Sequence, residues 1–173
     1  MNLHDKAQKI KAILLDIDGV LTDCRVGYSE NDEVKFFHVR DGHGLKLAMR
    51  AGLIVGAVSG RSAQANRRRA DELGFSFLYE NQKDKRVAFK KLLTDFNLTP
   101  EECLYIGDDV IDIPIMRKVG IAVTVADAPE YVGDFCDMRT KTPGGHGAVR
   151  EVLDWLLMEQ GKWDELMQRY ITD

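Results

Sequence analysis

Two aspartates, Asp16 and Asp18, stand one residue apart at the end of an apolar run and are followed at once by Gly19. The run itself, residues 12–15, reads Ala-Ile-Leu-Leu, which is typical of a strand buried on both faces of a parallel sheet. Such sheets bind their ligands just beyond the carboxyl ends of the strands. Because two carboxylates there repel each other unless a cation or proton lies between them, we interpret the pair as part of a reaction centre.

A second group of acids follows another apolar run, residues 103–106. Asp108, Asp109 and Asp112 are expected to meet the first pair at the same edge of the sheet. Five clustered acids would repel one another strongly, and Mg²⁺ would relieve this, since it binds carboxylates together with water and phosphate oxygens. Asp109 and Asp112 could equally well cap the next helix, and the sequence leaves this alternative open.

Two further residues follow predicted strands. Ser59 precedes Gly60 at a strand-to-helix turn, where a hydroxyl and free backbone N–H groups can bind a phosphate. Lys85 opens the helix after the third strand and would bring a cation to the same edge. Neither residue is strong evidence by itself, because Ser-Gly turns are common and most lysines are solvated. The position of each residue after a predicted strand favours a phosphate site.

Strand-like and helix-like segments alternate along the chain, which is typical of a Rossmann-like, doubly wound parallel sheet of the α/β class. The whole chain, residues 1–173, is predicted to form a single domain. We expect one antiparallel piece, a protruding hairpin with strands at 25–28 and 34–39 joined by a turn at 29–32. The other predicted strands are 12–15, 53–58, 75–79, 103–106 and 121–125. The predicted helices are 43–51, 62–73, 85–96 and 148–160, with a short capped turn at 99–102.

Composition narrows the function classes. With 24 basic and 28 acidic residues, the net charge of −4 argues against nucleic-acid binding, and the run 67–69 of three arginines is interpreted as the solvated face of a helix. Three widely spaced cysteines favour a reduced, cytoplasmic setting. No run approaches the roughly 18 apolar residues of a membrane span, so no membrane partner is expected.

Together these residues resemble the four-motif pattern of the haloacid dehalogenase superfamily of phosphatases. The motifs are DxDG at residues 16–19, the hydroxyl of Ser59, Lys85, and GDDxxD at residues 107–112. The resemblance implies that Asp16 attacks phosphorus and that Asp18 acts as general acid and base. It also implies that Mg²⁺ binds Asp16, Asp108 and the backbone carbonyl of Asp18, while Ser59 and Lys85 hold the phosphoryl oxygens.

Spacing between the motifs excludes a cap domain. Asp18 and Ser59 are separated by 40 residues, and Ser59 and Lys85 by 25, which leaves room only for the hairpin, two helices and one strand. A capless monomer would leave its site open to water. Either the substrate is large, or neighbouring subunits close the site.

Over almost its whole length the chain resembles the 3-deoxy-D-manno-octulosonate 8-phosphate (KDO 8-phosphate) phosphatases, which are homotetramers acting on a phosphorylated sugar acid. The matching segments are residues 35–42, 59–61, 69, 108–112, 125–128 and 144–151. The resemblance implies that the hairpin builds the subunit interface. It further implies that a glycine-rich tail, residues 144–173, can lie across a neighbour's site as a mobile lid.

The resemblance also implies a set of substrate-binding residues. Arg61 and Arg69 would bind the carboxylate of the substrate, and residues 38–42 would form a sugar-binding loop. The sequence departs from the family pattern at two positions: His38 stands where asparagine is frequent, and Lys46 stands where arginine is frequent. The set comprises Asp18, His38, Val39, Arg40, Asp41, Gly42, Lys46, Ser59, Arg61, Arg69 and Lys85. For Arg61 a structural ion pair is the alternative.

Three other functions are alternatives for this sequence. One is a phosphatase for the 9-phosphate of a nine-carbon, sialic-type acid. Arg61 disfavours it, because the resemblance implies an acidic residue at this position in such phosphatases. A non-catalytic oligomerisation module, as found fused to sugar-acid cytidylyltransferases, would not need five intact site residues. A phosphomutase normally requires a cap.

Overall fold

The computed structural model of the chain describes residues 2–30 and 33–172. The strands are β1 (Ala12–Leu15), β2 (Gly27–Tyr28), β3 (Glu33–Val34), β4 (Ile54–Val58), β5 (Phe77–Tyr79), β6 (Cys103–Gly107), β7 (Ile121–Thr124) and β8 (Met138–Arg139). The helices are α1 (Leu3–Lys9), α2 (Val39–Arg50), α3 (Gln64–Leu73), α4 (Lys85–Asp95), α5 (Ile113–Met116), α6 (Glu130–Gly133), α7 (Ala148–Glu159) and α8 (Trp163–Ile171). A 3₁₀ turn covers Pro100–Glu102 and carries the predicted capping box.

The main sheet has six parallel strands in the order β5-β4-β1-β6-β7-β8, which confirms the predicted fold class. The first strand lies in the middle, where Leu15 pairs with Ala57 on one side and with Ile106 on the other. The carboxyl ends of β1, β4 and β6 are therefore level. Each of the three predicted active-site segments leaves the sheet at this edge.

Apolar side chains pack on both faces of the sheet. Ile13 and Leu15 belong to one core cluster with residues of α1, α2 and α7, while Ala12 and Leu14 belong to a second cluster with residues of α4 and α5. This double coverage explains why β1 has no polar position: successive side chains of a strand point to opposite faces. Among the described residues, none of the helices is long and apolar enough to cross a membrane.

The hairpin is confirmed as an antiparallel pair, but it is shorter than predicted. Its strands pair Gly27 with Val34 and Tyr28 with Glu33, and residues 35–38 leave the pairing to approach the body of the protein. Half of the predicted turn, residues 31 and 32, lies outside the described residues.

Helix α2 starts at Val39, four residues earlier than predicted, so the expected sugar-binding loop is the first turn of a helix. Glycine is a poor helix former, so Gly42 and Gly44 made the sequence between residues 39 and 43 look unlike a helix. They are needed for packing: a Cβ on Gly42 would lie 2.2 Å from Nη2 of Arg69, and one on Gly44 would lie 2.9 Å from Cδ of Arg150. Close helix contacts therefore override the local propensity.

The glycine-rich segment before α7 packs against the loop that follows β1. The N–H of Gly144 donates to Asp127 at 2.8 Å, and that of Gly145 donates to the carbonyl of Val20 at 3.0 Å. A Cβ on Gly144 would lie 1.7 Å from the carbonyl oxygen of Gly19. The helix that follows has six fully buried apolar residues in the core (Ala148, Val149, Val152, Leu153, Leu156 and Leu157). These glycines therefore permit close approach to the loop after β1, and a lid across a neighbour's site stays a prediction.

Candidate active site

Asp16 lies directly beyond β1, at the centre of the sheet, and is only 4% exposed. Its N–H donates to the carbonyl of Ile106 at 2.9 Å, which extends the pairing of β1 and β6 by one residue. Its Oδ1 accepts the N–H of Ile17 at 2.7 Å, and its Oδ2 lies 2.9 Å from Nζ of Lys85. The carboxylate is thus fixed at the edge where ligands bind in such sheets.

Gly19 brings the first two acidic segments together. Its φ of +92° lies in the left-handed region that favours glycine, and a Cβ there would lie 2.0 Å from Oδ2 of Asp108. No other residue would let the Asp108 side chain approach the loop after β1. The glycine following the aspartate pair therefore has a steric function at the site.

Asp16, Asp108 and Asp112 form a cluster in which one carboxylate oxygen of each lies within 4.8 Å of the others. Burial and repulsion by Asp112 raise the pKa of Asp16 from 3.8 to about 7, although Lys85 acts to lower it. Burial and repulsion by its two neighbours raise the pKa of Asp108 to about 8. Among the described residues, the buried Oδ1 of Asp108 has no hydrogen-bond partner. Oxygen ligands, crowded charge and an unsatisfied oxygen together fit a hard divalent cation.

Asp112 is held by protein groups on all sides. It accepts hydrogen bonds from Lys85 at 2.6 Å, from the hydroxyl of Tyr105 at 2.6 Å, and from the N–H groups of Asp108 and Asp109 at 2.9 and 3.2 Å. These contacts anchor the turn after β6 and the buried lysine. Asp112 stands at the start of α5 but its side chain makes no capping bond there, and the exposed Asp109 bonds the neighbouring N–H of Val110.

Lys85 has a fully buried side chain between Asp16 and Asp112, which excludes the alternative of a solvated surface lysine. Burial alone would lower the pKa of its ammonium, but the two carboxylates outweigh this and raise it. The lysine is positioned because it opens α4, whose first turn is capped by Asp84. A permanent positive charge therefore adjoins Asp16.

Ser59 follows β4 and is completely buried. Its N–H donates to the carbonyl of Tyr79 at 2.8 Å, and its Oγ accepts the N–H of Arg61 at 3.2 Å. Since Ala57 pairs with Leu15, Ser59 is level with the residue that follows Asp16. Its hydroxyl thus lies at the same sheet edge as the acids.

Asp18 is partly buried and is bound by a residue that the sequence did not single out. Both its oxygens accept hydrogen bonds from Nζ of Lys35, at 2.7 and 2.9 Å. Arg61 approaches less closely, with Nε 3.9 Å from Oδ2 of Asp18, and it also pairs with Glu33. Arg61 thus forms an ion pair, as the structural interpretation predicts, and it also lies beside Asp18, where the substrate-binding interpretation places it.

The predicted sugar-binding residues of α2 are spread over different surroundings. Val39 and Arg40 are exposed, whereas Asp41 is 1% exposed and accepts the N–H groups of Gly147 and Arg150 at 3.2 and 2.7 Å. Burial raises the pKa of Asp41, although these bonds lower it. Its contacts are those of a cap on α7. The ring of His38, at the N-cap of α2, lies 3.9 Å from the same carboxylate.

Arg69 lies on α3 and Lys46 on α2, and both contact Glu72 of α3. Nη1 of Arg69 bonds Glu72 at 3.0 Å, and its guanidinium lies 5.6 Å from the ring centre of Phe37. Nζ of Lys46 bonds the carbonyl of Glu72 at 3.1 Å. Arg69 and Lys35 both line an open groove of about 600 Å³ between the hairpin and α3. The substrate roles of Arg69 and Lys46 stay predictions.

Sequence reasoning missed two residues of the site. Tyr105, fully buried in β6, bonds Asp112, and burial with nearby carboxylates raises its pKa well above 10. A tyrosine in an otherwise aliphatic strand was the available signal. Lys35 could have been found from the alternation of residues 34–37, in which a lysine occupies an inward position.

Comparisons with known proteins agree with this geometry. Residues 74–153 match the haloacid dehalogenase-like hydrolase family. The 3-deoxy-D-manno-octulosonate 8-phosphate phosphatase of Escherichia coli (strain K12) is 44% identical over 161 residues, which cover 92% of this chain and 86% of that protein. The Haemophilus influenzae phosphatase of the same name is 41% identical, over 92% of this chain and 89% of that one.

Among solved structures, the Moraxella catarrhalis phosphatase, described in complex with a magnesium ion, a phosphate ion and KDO, has a TM-score of 0.93 at 35% identity. The match covers 96% of this chain and 97% of that one. Sequence identity of this extent, together with the shared fold, confirms the resemblance seen in the motifs. The chain belongs to the 3-deoxy-D-manno-octulosonate 8-phosphate phosphatase family of haloacid dehalogenase-like hydrolases.

Proposed function

We propose that this protein hydrolyses KDO 8-phosphate to KDO and phosphate, with Mg²⁺ as cofactor and Asp16 as nucleophile. The observation that carries the proposal is the buried Asp16, held between Lys85 and the acids at the end of β6. Such an arrangement has no structural benefit, because buried like charges destabilise the fold. A non-catalytic oligomerisation module would not need to retain it.

Hydrolysis takes place in two steps in this site. An oxygen of Asp16 attacks phosphorus, and the sugar alkoxide leaves with a proton from Asp18. Asp18 then takes a proton from water, which attacks the phosphorus of the aspartyl-phosphate and releases inorganic phosphate. Asp16 is regenerated, and the proton balance of Asp18 is restored.

The remaining residues stabilise the transferring group. The ammonium of Lys85 and the hydroxyl of Ser59 are placed to bind phosphoryl oxygens, and both are buried so that water does not compete. Asp16, Asp108 and the backbone carbonyl of Asp18 would hold the Mg²⁺, which when bound neutralises the clustered acids and the phosphoryl charge. A Haemophilus influenzae phosphatase of this family is described in a cobalt-bound form, which supports a divalent cation at the site.

The substrate proposed here carries a carboxylate besides its phosphate. Arg61, beside Asp18, and Arg69, in the groove between the hairpin and α3, would bind it, since a guanidinium matches a carboxylate in geometry. Arg61 is 46% exposed in its side chain and is therefore accessible to a ligand. This residue also favours the eight-carbon over the nine-carbon acid.

We further propose that the protein acts as a homotetramer in the cytoplasm. Apolar side chains are exposed on the hairpin, on the segment after it and at the start of α2. Tyr28 is 79% exposed, Phe36 75% and Val39 80%. Because exposed apolar patches favour protein contacts, this surface supports a subunit interface that would also shield the open site. The three unpaired cysteines agree with a reducing compartment.

The test is phosphate release from KDO 8-phosphate and from the nine-carbon sugar acid 9-phosphate, side by side, with Mg²⁺ and with chelator. We expect turnover of the first substrate, its loss in chelator and no turnover by Asp16→Asn. Lys91→Met, which changes an exposed pair with Asp95 and a contact with the ring of Tyr79, serves as the matched control. Faster turnover of the nine-carbon compound would change the substrate assignment, and activity unaffected by chelator would contradict the metal site.

A further inference from the structure

Lys35 is a buried cation at the site to which neither the four motifs nor the expected substrate set gives a role. Its side chain has no exposed surface. Burying an ammonium costs several kcal/mol unless it is paired, so its partners must be close. Those partners are Asp18, at 2.7 and 2.9 Å, and Glu33, at 3.8 Å.

The burial of Lys35 belongs to an alternating pattern of exposure in the segment that begins at the end of β3. Along residues 34–37 the side chains alternate: Val34 and Phe36 are exposed, whereas Lys35 is buried and Phe37 packs against the core. The lysine therefore occupies an inward position of this segment, from which it reaches Asp18.

The contact leaves Asp18 able to react. One ammonium that bonds both oxygens uses one lone pair of each, and a carboxylate offers about four such positions. Among the described residues, no other side chain donates a hydrogen bond to Asp18, and Nε of Arg61 lies 3.9 Å from its Oδ2. The direction of this carboxylate therefore depends on Lys35.

We propose that Lys35 is a positioning residue, which holds the carboxyl group of Asp18 in the direction needed to exchange protons with the leaving group and with water. The proposal rests on the proposed function, in which Asp18 is the general acid and base. The lysine itself need not touch the substrate. It makes the hairpin part of the catalytic apparatus of its own subunit.

The first experiment measures kcat and KM for KDO 8-phosphate with Lys35→Met, which removes the ammonium and keeps an apolar stem. A misdirected acid–base group should lower kcat roughly tenfold to hundredfold while KM stays within about twofold. Lys35→Arg, which keeps a cation, should regain most of the loss. Raised KM with unchanged kcat would overturn the proposal, because it would place Lys35 on the substrate.

Leaving-group dependence separates positioning from a general loss of structure. With p-nitrophenyl phosphate, whose leaving group needs no proton, Lys35→Met should keep a burst of nitrophenol and then turn over slowly, since water attack still needs Asp18. A burst rate reduced as much as the turnover of the sugar phosphate would contradict a role through Asp18.

A double-mutant cycle provides the decisive comparison, with Lys91→Met again as the control. In an Asp18→Asn background, Lys35→Met should change kcat by less than about twofold, because the group through which it acts is already lost. The urea midpoint is measured for the same four proteins, and the loss caused by Lys35→Met should likewise be smaller in that background. Fully additive losses in either measurement would overturn the proposal. The urea cycle tests the contact even if the wild type proved inactive on sugar phosphates, which would refute only the proposed function.

Discussion

Replacing Asp108 by asparagine should stabilise the metal-free protein, and the gain should be larger at pH 8 than at pH 5. The folded protein raises the pKa of this carboxyl from 3.8 to about 8 through burial and repulsion by Asp16 and Asp112. Folding therefore favours the protonated form. The free energy of unfolding of the wild type must fall as the pH rises from about 4 to about 8, since the folded state then binds the extra proton.

The size of the effect follows from that shift. Each pH unit between 5 and 8 costs the wild type up to 1.36 kcal/mol, or about 4 kcal/mol in all, whereas asparagine has no proton to lose. Repulsion by Asp16 contributes to the shift of the Asp108 pKa, so part of the effect is shared between the two acids. We expect the advantage of Asp108→Asn to grow by about 2–4 kcal/mol from pH 5 to pH 8.

The assay is urea unfolding of both proteins in chelator at pH 5, 6.5 and 8, repeated with Mg²⁺. The ion should restore stability to the wild type, most strongly at pH 8, and should do little for the variant. Asp109→Asn is the matched control, because its exposed carboxylate lies outside the cluster and should change stability by less than about 0.5 kcal/mol. A pH-independent difference, or a variant that is less stable than the wild type at pH 8 without metal, would refute the electrostatic reasoning.

Three other changes test separate parts of the structure. Lys85→Met leaves the buried carboxylates of Asp16 and Asp112 without their cation and should lower the free energy of unfolding in urea by about 3–5 kcal/mol. Lys91→Met should change it by almost nothing, and equal losses in the two variants would contradict the buried ion pairs of Lys85. Gly144→Ala places a methyl group against the loop after β1, so it should lower the free energy of unfolding by about 1–3 kcal/mol and reduce kcat. Gly161→Ala places its methyl group where no atom lies within 4 Å and should leave kcat unchanged. Phe36→Glu charges the exposed hairpin face and should yield smaller species in sedimentation; an unchanged oligomer would exclude this surface as the interface.

The acidic edge of the sheet was predictable because its signals are local. An apolar run followed by acids marks the end of a buried parallel strand, and the parallel sheet then requires that the ends of β1 and β6 meet. The lysine that opens α4 follows the same logic. Only the extent of its burial, between Asp16 and Asp112, needed the structure.

Long-range packing decided the features that sequence reasoning missed. Asp41 reads as a loop residue but caps a helix that begins more than a hundred residues later, and no local pattern encodes such a partner. Gly144 suggests freedom of the backbone, whereas the nearby carbonyl of Gly19 shows that it is required by close approach. Lys35 lies in a hairpin whose position over Asp18 depends on the whole fold.

The central claim is that Asp16 accepts the phosphoryl group of KDO 8-phosphate. Its most direct test is an acid quench during a single turnover of phosphorus-labelled substrate, after which the sample is divided. One half is digested directly to find the phosphorylated peptide, and the other is reduced with tritiated borohydride, which releases the phosphate, and is then sequenced. We predict phosphorus label on the peptide that contains residues 12–22 in the first half, and tritiated homoserine at position 16 in the second. Label on a peptide carrying Asp108, or release of phosphate without any labelled protein, would contradict the account.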